Sequence, residues 1–383
     1  ILGADSVTGR AALKELIRNG KNRTAMGIAL QILARAPDRD DDFLQFLSVI
    51  ITRTERHPLL GQMLYLRSQL ALKNSEMMSV AVDDAQTLLE QFPGFSEITS
   101  VYRLLAYASL KREPAQYRAA ADFLVQLRDQ SEKPEELVEL NRLIGDCYFL
   151  NGDYVNAVDF YEAARNRDLS PAYDGELFLR LISAQVRAGE IEDALQLIDE
   201  VDFSGNVDLT DRWKAEWNVA QTLQAQGDAV RALERIRSLL EEAPSGVPAA
   251  LDIRLRWLEA HLSLELKEVE QLVNRVSRLL TRLDSLPEAA LGAEDALLLK
   301  TEILLLRGNV LIRAGDANAG MVELAELRSQ FPTTAAAQRS YLVEAAYHGL
   351  IGDYSAAQGT LSALAERYPE SPLAPQALFE AAL

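Results

Sequence analysis

Residues with the potential for chemistry are few in this 383-residue chain. The histidines and the single cysteine are far apart in sequence: His57, His261, His348 and Cys147. One cysteine cannot form an intramolecular disulfide, and the four residues do not have the ligand spacing of a zinc site. We therefore expect Cys147 to be a small buried helix residue, and we expect no metal.

Other groups that resemble catalytic residues have simpler interpretations. Adjacent carboxylates, such as Asp83-Asp84 and Glu135-Glu136, are typical of solvated helix positions. No histidine stands beside a nucleophile in a recognisable motif, and no glycine-rich loop follows a strand pattern. The sequence therefore predicts a non-enzymatic protein without a cofactor.

Charge and composition narrow the classes of partner. The chain has 39 basic and 57 acidic residues, hence a net charge of −18, and it is 48% hydrophobic. An acidic chain repels phosphate backbones, which argues against nucleic-acid binding as the main role. No apolar run reaches the roughly 18 residues that span a bilayer, so we expect no direct membrane insertion in this segment.

The clearest pattern lies in residues 138–171, which read as an apolar helical run, a Gly-Asp-Tyr turn, a second helical run and a proline. The turn glycines recur at similar distances: Gly152 to Gly189 is 37 residues, Gly189 to Gly227 is 38, and Gly315 to Gly352 is 37. No alternating β pattern is present. We expect an all-α fold of about nine antiparallel helix pairs.

Domain organisation follows from this repeat. Because each pair packs on its neighbours, we expect a single solenoid over residues 1–383, with less regular stretches near 38–60 and 249–296. Small residues, Gly145 with Ala157 and Gly308 with Gly320, are expected to let the two helices of a pair approach closely. The chain begins ILGADS and ends in an apparent helix, so we also expect a segment of a longer protein.

The unit resembles the tetratricopeptide repeat (TPR) family, whose 34-residue pattern is W-x2-L-G-x2-Y, then A-x3-F, then P. The matching residues in one unit are Asn141, Ile144, Gly145, Tyr148, Ala157, Tyr161 and Pro171. Asn141 departs from the usual Trp, and the proline comes two residues late. The resemblance implies a right-handed superhelical α-solenoid that binds a protein or peptide partner.

In that family the first helix of each pair usually lines a concave groove. By this resemblance the candidate partner-binding residues are Arg142, Asp146, Phe149, Trp217, Gln221 and Asn309. The same alignment adds Leu179, Ser183, Val186, Gln224, Leu305, Ile312, Leu342 and Ala346. Trp217 shares a helix face with Trp213, and Trp257 lies on the next pair. Each of the three is either an exposed binding anchor or a residue that packs between repeats.

A basic cluster forms a further candidate near the start of the chain. Arg10, Lys14 and Arg18 are four residues apart and share one helix face. This face is either solvated or a contact for an anion or an acidic peptide.

A second resemblance concerns the setting. The stretch AERYPESPLAPQALFEAA is similar to repeats of bacterial cell-envelope TPR proteins, the outer-membrane-assembly lipoprotein and the periplasmic partner of Tol-Pal. It implies a periplasmic or cell-envelope location. The predicted function is thus a partner-binding scaffold in a bacterial cell-envelope assembly. Two alternatives stay open: a regulatory or substrate-positioning segment of a larger enzyme, and a self-associating structural component.

Overall fold

The structure, a computed structural model, describes residues 6–36, 40–53, 57–165, 175–201, 207–242, 247–287 and 290–382. Within these ranges the chain forms twenty α-helices, one short 3-10 helix (Ser75–Met77) and no strand. This confirms the all-α prediction. Three prolines predicted to close repeat units, Pro37, Pro171 and Pro244, lie outside the described residues.

Two compact units divide the chain, Ile1–Tyr173 (unit 1) and Asp174–Leu383 (unit 2). The helices of unit 1 are α1 (Val7–Asn19), α2 (Arg23–Ala34), α3 (Asp40–Arg53), α4 (Leu60–Ala71), α5 (Met78–Gln91), α6 (Ile98–Lys111), α7 (Tyr117–Arg128), α8 (Pro134–Leu150) and α9 (Tyr154–Ala164). Four pairs, α1/α2, α4/α5, α6/α7 and α8/α9, pack as antiparallel hairpins, and α3 is the single helix between the first two.

The helices of unit 2 are α10 (Gly175–Ala188), α11 (Ile191–Glu200), α12 (Leu209–Ala225), α13 (Ala229–Glu241), α14 (Ala249–Glu265), α15 (Leu272–Asp284), α16 (Ala293–Arg313), α17 (Ala317–Gln330), α18 (Ala335–Leu350), α19 (Tyr354–Arg367) and α20 (Ala374–Ala382). They form five pairs, α10/α11 to α18/α19, followed by α20. The described residues thus contain nine pairs, and the predicted α-solenoid is confirmed.

Glycine and aspartate set the turn inside most pairs. Five turn glycines, at 152, 189, 227, 315 and 352, have φ between +79° and +97°, a conformation that costs a residue with a Cβ. Where an aspartate follows, its carboxylate accepts the N–H three residues on and caps the second helix; the Asp316 Oδ1 to Ala319 N distance is 3.1 Å. The turn glycine between α1 and α2 differs, because Gly20 has a φ of −65°.

The α14–α15 turn departs from this chemistry. It has no glycine, and two residues with side chains, Lys267 (φ 62°) and Gln271 (φ 57°), take the left-handed conformation instead. The apolar spacing of Val269, Leu272, Val276 and Leu279 predicts that all four lie on the second helix, but Val269 lies in this turn and α15 starts at Leu272. The sequence also predicts a loop over the stretch EAALGAED, whereas α16 starts inside it, at Ala293.

Close helix contacts occur at the predicted small residues. A Cβ at Gly320 would lie 2.7 Å from the carbonyl oxygen of Gly308, so neither position has room for a side chain. At Gly145 a Cβ would first meet the ring of Tyr161, at 2.6 Å, and at Gly308 it would first meet the Leu324 side chain, also at 2.6 Å. In both pairs a side chain of the second helix covers the glycine of the first helix.

Several second helices end in an aromatic-proline turn. Phe92, Phe331 and Tyr368 are the C-cap residues of α5, α17 and α19, and all three have φ near −130°. Each is followed by a proline, which cannot continue a helix. The Tyr-Pro of the supposed envelope motif therefore has a structural role that recurs elsewhere in the chain.

First helices also pack on each other in unit 2. Contacts join α10 to α12, α12 to α14, α14 to α16, and α16 to α18. This places one face of each first helix on a common surface. Among the described helices, none is both long enough and apolar enough to cross a membrane.

Candidate binding groove

Two joined cavities lie on the surface formed by the first helices of unit 2. The first has a volume of about 320 Å³. Its apolar wall is made by Trp257, Leu258, Leu305, Leu306, Leu342 and Val343. Its polar lining is Gln221, Gln224, His261, Glu302, Asn309 and Arg339. Helices α12, α14, α16 and α18 all contribute to this lining.

The second cavity has a volume of about 490 Å³ and shares Asn309, Leu342 and Val343 with the first. Its other lining residues are Ile312, Arg313, Ala346, Tyr347 and Leu350. Because the shared residues border both spaces, the two cavities form one elongated site, which we call the binding groove.

Stacked rings form one wall of the first cavity. The centroids of Trp217 and Trp257 are 6.2 Å apart, and the His261 ring stacks on Trp257 at 5.4 Å with an interplanar angle of 21°. Burial lowers the pKa of His261 below its ordinary value of 6.5; the positive charge of Arg339 lowers it further, and the carboxylate of Glu265 opposes both. The imidazole is therefore neutral at pH 7, and the wall is a flat aromatic surface.

The two charged residues that line this cavity form an ion pair, and a carboxylate beside the cavity accepts a hydrogen bond from a carboxamide. Glu302 of α16 forms an ion pair with Arg339 of α18, and Gln224 of α12 donates to Glu265 of α14 at 2.8 Å. Burial raises the pKa of Glu302, and the neighbouring guanidinium partly offsets that rise. The first cavity is thus close to electrically balanced, although the chain as a whole is strongly acidic.

Four polar groups of the binding groove are uncommitted. Within the part of the chain that the structure describes, the side chains of Gln221, Asn309 and Arg313 form no hydrogen bond or ion pair, and neither ring nitrogen of His261 is hydrogen-bonded. Gln221 and Arg313 are exposed, whereas His261 and Asn309 are half-buried. The two carboxamides and the neutral imidazole can therefore each donate a hydrogen bond to a bound molecule and accept one from it, and the guanidinium can donate.

Several predicted residues meet in this groove. Gln221 and Asn309 line the first cavity, together with Gln224, Leu305 and Leu342 from the wider alignment. Trp217 stands behind the wall, in contact with Trp257. Trp213 is buried in the core, with 1% of its surface exposed, which agrees with the packing interpretation.

Sequence reasoning missed several residues of the site, among them Trp257 as a lining residue, His261, Glu302, Arg339 and Arg313. A usable signal existed for the first two, because Trp257 and His261 follow Trp217 and Gln221 at the same offset of 40 residues. The glycine-free turn of that pair hid the alignment. No comparable signal marks Glu302 and Arg339, since ion pairs between repeats have no fixed sequence spacing.

Three candidates, Arg142, Asp146 and Phe149, lie on α8 of unit 1 and are engaged in local contacts. The Tyr161 hydroxyl donates to the Asp146 carboxylate at 2.7 Å. Phe149 packs edge-on against Tyr154 with centroids 5.4 Å apart, and Arg142 is half-buried beside them on α8. Their part in partner binding stays a prediction.

The basic cluster of α1 packs against α3. The Lys14 ammonium is 2.6 Å from the Asp42 carboxylate, and Lys14 and Arg18 each lie 5.4 Å from the centroid of the Phe46 ring. Of the three residues in the predicted cluster, Lys14 and Arg18 are therefore already in contact with groups of the same chain. An anion-binding role for them stays a prediction.

The cysteine and the possible metal ligands outside the groove show no arrangement for chemistry within the described residues. Cys147 is buried in α8, and this burial, with the charge of Asp146, raises its thiol pKa to about 11. Over the ranges given above, no group of three His, Cys, Asp or Glu side chains is arranged to hold a metal ion.

Comparisons with known proteins show a likeness in fold. No protein-family model and no curated protein matches the sequence. The apo form of RapI is 13% identical over 84% of this chain and 96% of its own, with a TM-score of 0.50. The TPR2AB domain of yeast Sti1 in complex with pHSP90 is 16% identical over 64% and 99% of the two chains, with a TM-score of 0.27. The Naa15/Naa10 complex bound to HypK-THB is 14% identical over 96% and 65%, with a TM-score of 0.38. The likeness to RapI, together with the nine helix pairs and their Gly-Asp turns, shows that the chain has a TPR-like α-solenoid fold.

Proposed function

We propose that this protein is a non-enzymatic interaction scaffold whose binding groove holds a segment of a protein partner. The observation that supports it is the combination of apolar lining and uncommitted polar groups along the two joined cavities of unit 2. An elongated groove of this composition suits a polypeptide, because apolar side chains fill the cavities while carboxamides pair with the backbone. We assign the latter role to Gln221 and Asn309, whose side chains line the first cavity.

A bacterial cell-envelope setting is part of the proposal, carried by the resemblance of the 365–382 stretch alone. The structural role of its Tyr-Pro turn accounts for two of the motif's residues without any particular location. Immunoblots of periplasmic, membrane and cytoplasmic fractions from the native organism test this part separately. Recovery only in the cytoplasmic fraction would refute it.

The groove itself is tested with a phage-displayed library of random 12-residue peptides, panned on three forms of the protein. Asn309→Trp places a large ring where the two cavities join, and Ser329→Trp places the same ring at an exposed position of α17. We expect peptides that bind the wild type and Ser329→Trp but not Asn309→Trp. If all selected peptides bind the three forms equally, the groove is not the binding site.

A further inference from the structure

We propose that the binding groove selects an extended partner segment in which an aromatic side chain is followed, two residues later, by an aspartate or glutamate side chain. The inference rests on the proposed function and deepens it. It is carried by the shape and charge of the two cavities and by the place of Arg313 on α16.

The first cavity fits an aromatic side chain. Its volume of about 320 Å³ is at the lower end for small-molecule sites, which suits one large side chain. The stacked Trp257 and His261 rings offer a face on which a further aromatic ring can stack with an offset. The remaining wall is leucine and valine, so an aromatic ring loses its water to apolar contacts on the other sides.

A cationic side chain is disfavoured in this cavity. Its carboxylate, Glu302, is already paired with Arg339, and the charge of Arg339 also acts on His261. A lysine or arginine would therefore face a guanidinium, and the lining offers it no second carboxylate. A neutral ring adds no charge to a balanced site.

The second cavity favours an acid. Arg313 is its one charged lining residue, is exposed, and makes no hydrogen bond or ion pair within the described ranges. A carboxylate on this guanidinium forms charge-assisted hydrogen bonds, which are among the stronger contacts available at a surface. The strongly acidic chain repels such a segment in general, so the attraction has to come from this local cation.

The spacing follows from two regular geometries. Asn309 borders both cavities, and Arg313 lies one helical turn further along α16, about 6 Å at 1.5 Å per residue. Residues i and i+2 of an extended segment project to the same side and are about 6.6 Å apart. An aromatic side chain in the first cavity thus places the side chain two residues later beside Arg313, which is why we assign the acid to a side chain rather than to a chain terminus.

The test uses fluorescein-labelled nonapeptides, acetylated and amidated at their ends, with Gly-Ser flanks around a central triplet. Binding is measured by fluorescence anisotropy for Phe-Ala-Glu, Ala-Ala-Glu, Phe-Ala-Gln and Phe-Ala-Lys, and for a spacer control with Phe and Glu five residues apart. We expect Phe-Ala-Glu to bind about tenfold more tightly than each of the others. The Arg313→Glu variant, changed at an exposed position, is expected to reverse the order and prefer Phe-Ala-Lys.

The outcomes separate this inference from the function on which it rests. Groove-dependent phage clones that lack an aromatic-x-acid triplet, or an unchanged peptide order in Arg313→Glu, overturn the inference and leave the scaffold intact. Binding that requires an unblocked C-terminal carboxylate also overturns it. An absence of groove-dependent clones overturns the proposed function itself. A circular dichroism spectrum and melting curve equal to wild type ensure that Arg313→Glu is folded.

Discussion

The α8/α9 pair of unit 1 and the α16/α17 pair of unit 2 use the same repeat positions in different ways. Gly145 and Gly308 occupy equivalent places, followed by Asp146 and Asn309 respectively. Sixteen residues after each glycine stands the side chain that covers it, which is Tyr161 in the first pair and Leu324 in the second.

The difference between Tyr161 and Leu324 decides whether the polar residue after the glycine has a hydrogen-bond partner within its own pair. The hydroxyl of Tyr161 donates to Asp146 at 2.7 Å, so the polar group of α8 is held by its own pair. The side chain of Leu324 has no polar atom. The Asn309 carboxamide therefore faces the two cavities without a hydrogen bond to any other described residue. A groove position in a repeat protein is therefore available for binding only when the second helix leaves it uncommitted.

The largest expected difference between the two pairs comes from introducing the same ring into each. Ala157 is fully buried between α8 and α9, so Ala157→Trp overpacks the pair and should lower the free energy of unfolding by about 3 kcal/mol or more. Asn309→Trp enters open space, and we expect a change within about 1 kcal/mol. Urea denaturation measures both, and equal losses would show that the groove is as tightly filled as the α8–α9 contact.

A smaller effect is expected from removing the hydroxyl that distinguishes the pairs. Tyr161→Phe deletes a hydrogen bond to a carboxylate and should destabilise the protein by about 2 kcal/mol. The matched change Asn309→Ala removes no hydrogen bond and should stay within about 0.5 kcal/mol. If thermal melts show the reverse order, the distinction between committed and uncommitted groove positions is wrong.

The turns give a third contrast between the units. Lys267 has a Cβ in the left-handed region, so Lys267→Gly should raise the free energy of unfolding by about 1 kcal/mol. Gly152→Ala, at φ +79° in unit 1, should lower it by a similar amount. Chemical denaturation distinguishes the signs, and a loss of stability in Lys267→Gly would show that its side chain contributes more than the backbone strain removes.

The smallest effect concerns two histidines. In unit 1, His57 contacts the Ile17 carbonyl oxygen through Nε2 at 2.9 Å and accepts from the Leu59 N–H at Nδ1, whereas neither nitrogen of His261 is hydrogen-bonded. A protonated imidazole quenches the fluorescence of a stacked indole. As the pH is lowered and His261 takes up a proton, the fluorescence of Trp257 should therefore fall, with a midpoint below pH 6.5. The groups that face His261 from α14, α16 and α18 are Glu265, Glu302 and Arg339, and only Arg339 and burial act to lower its pKa.

The lowered pKa of His261 also determines how the stability of the protein changes with pH. Because the folded-state pKa of His261 lies below its unfolded value, the unfolded chain binds the proton first as the pH falls. Stability should therefore decrease below about pH 6.5 and level off once the folded-state pKa is passed. His261→Phe keeps the stacked ring and should remove both the quenching step and this part of the pH dependence, and persistence of the step in that variant would assign it to another group.

The sequence predicted the fold well because its signals are local and repeated. Turn glycines need positive φ, aspartates cap the helices that follow them, and apolar residues recur at helical spacing, so each unit could be recognised without its neighbours. The prediction was wrong where those local signals were missing, as at Val269 beside the glycine-free turn and at the start of α16. The sequence predicted close contacts at Gly145 and Gly308 but did not show that Tyr161 and Leu324 cover these glycines.

The candidate site was only partly predictable. Gln221 and Asn309 were found because a first helix presents the same face in each repeat, but Trp257 and His261 were not placed there because their turn lacks the glycine used to align the units. The cluster of Arg10, Lys14 and Arg18 looked open in the sequence, yet Asp42 and Phe46 of the unpaired helix α3 contact it. Nothing local to α1 indicates that contact.

By itself the sequence determined that the chain is all-helical, that it repeats, and where most pairs turn, since caps and left-handed glycines act over three or four residues. Only the tertiary structure decided which polar side chains are engaged and which face a cavity. That outcome depends on the residues opposite each position, which come from helices 15 to 41 residues away. It also depends on how closely the first helices of unit 2 pack against one another.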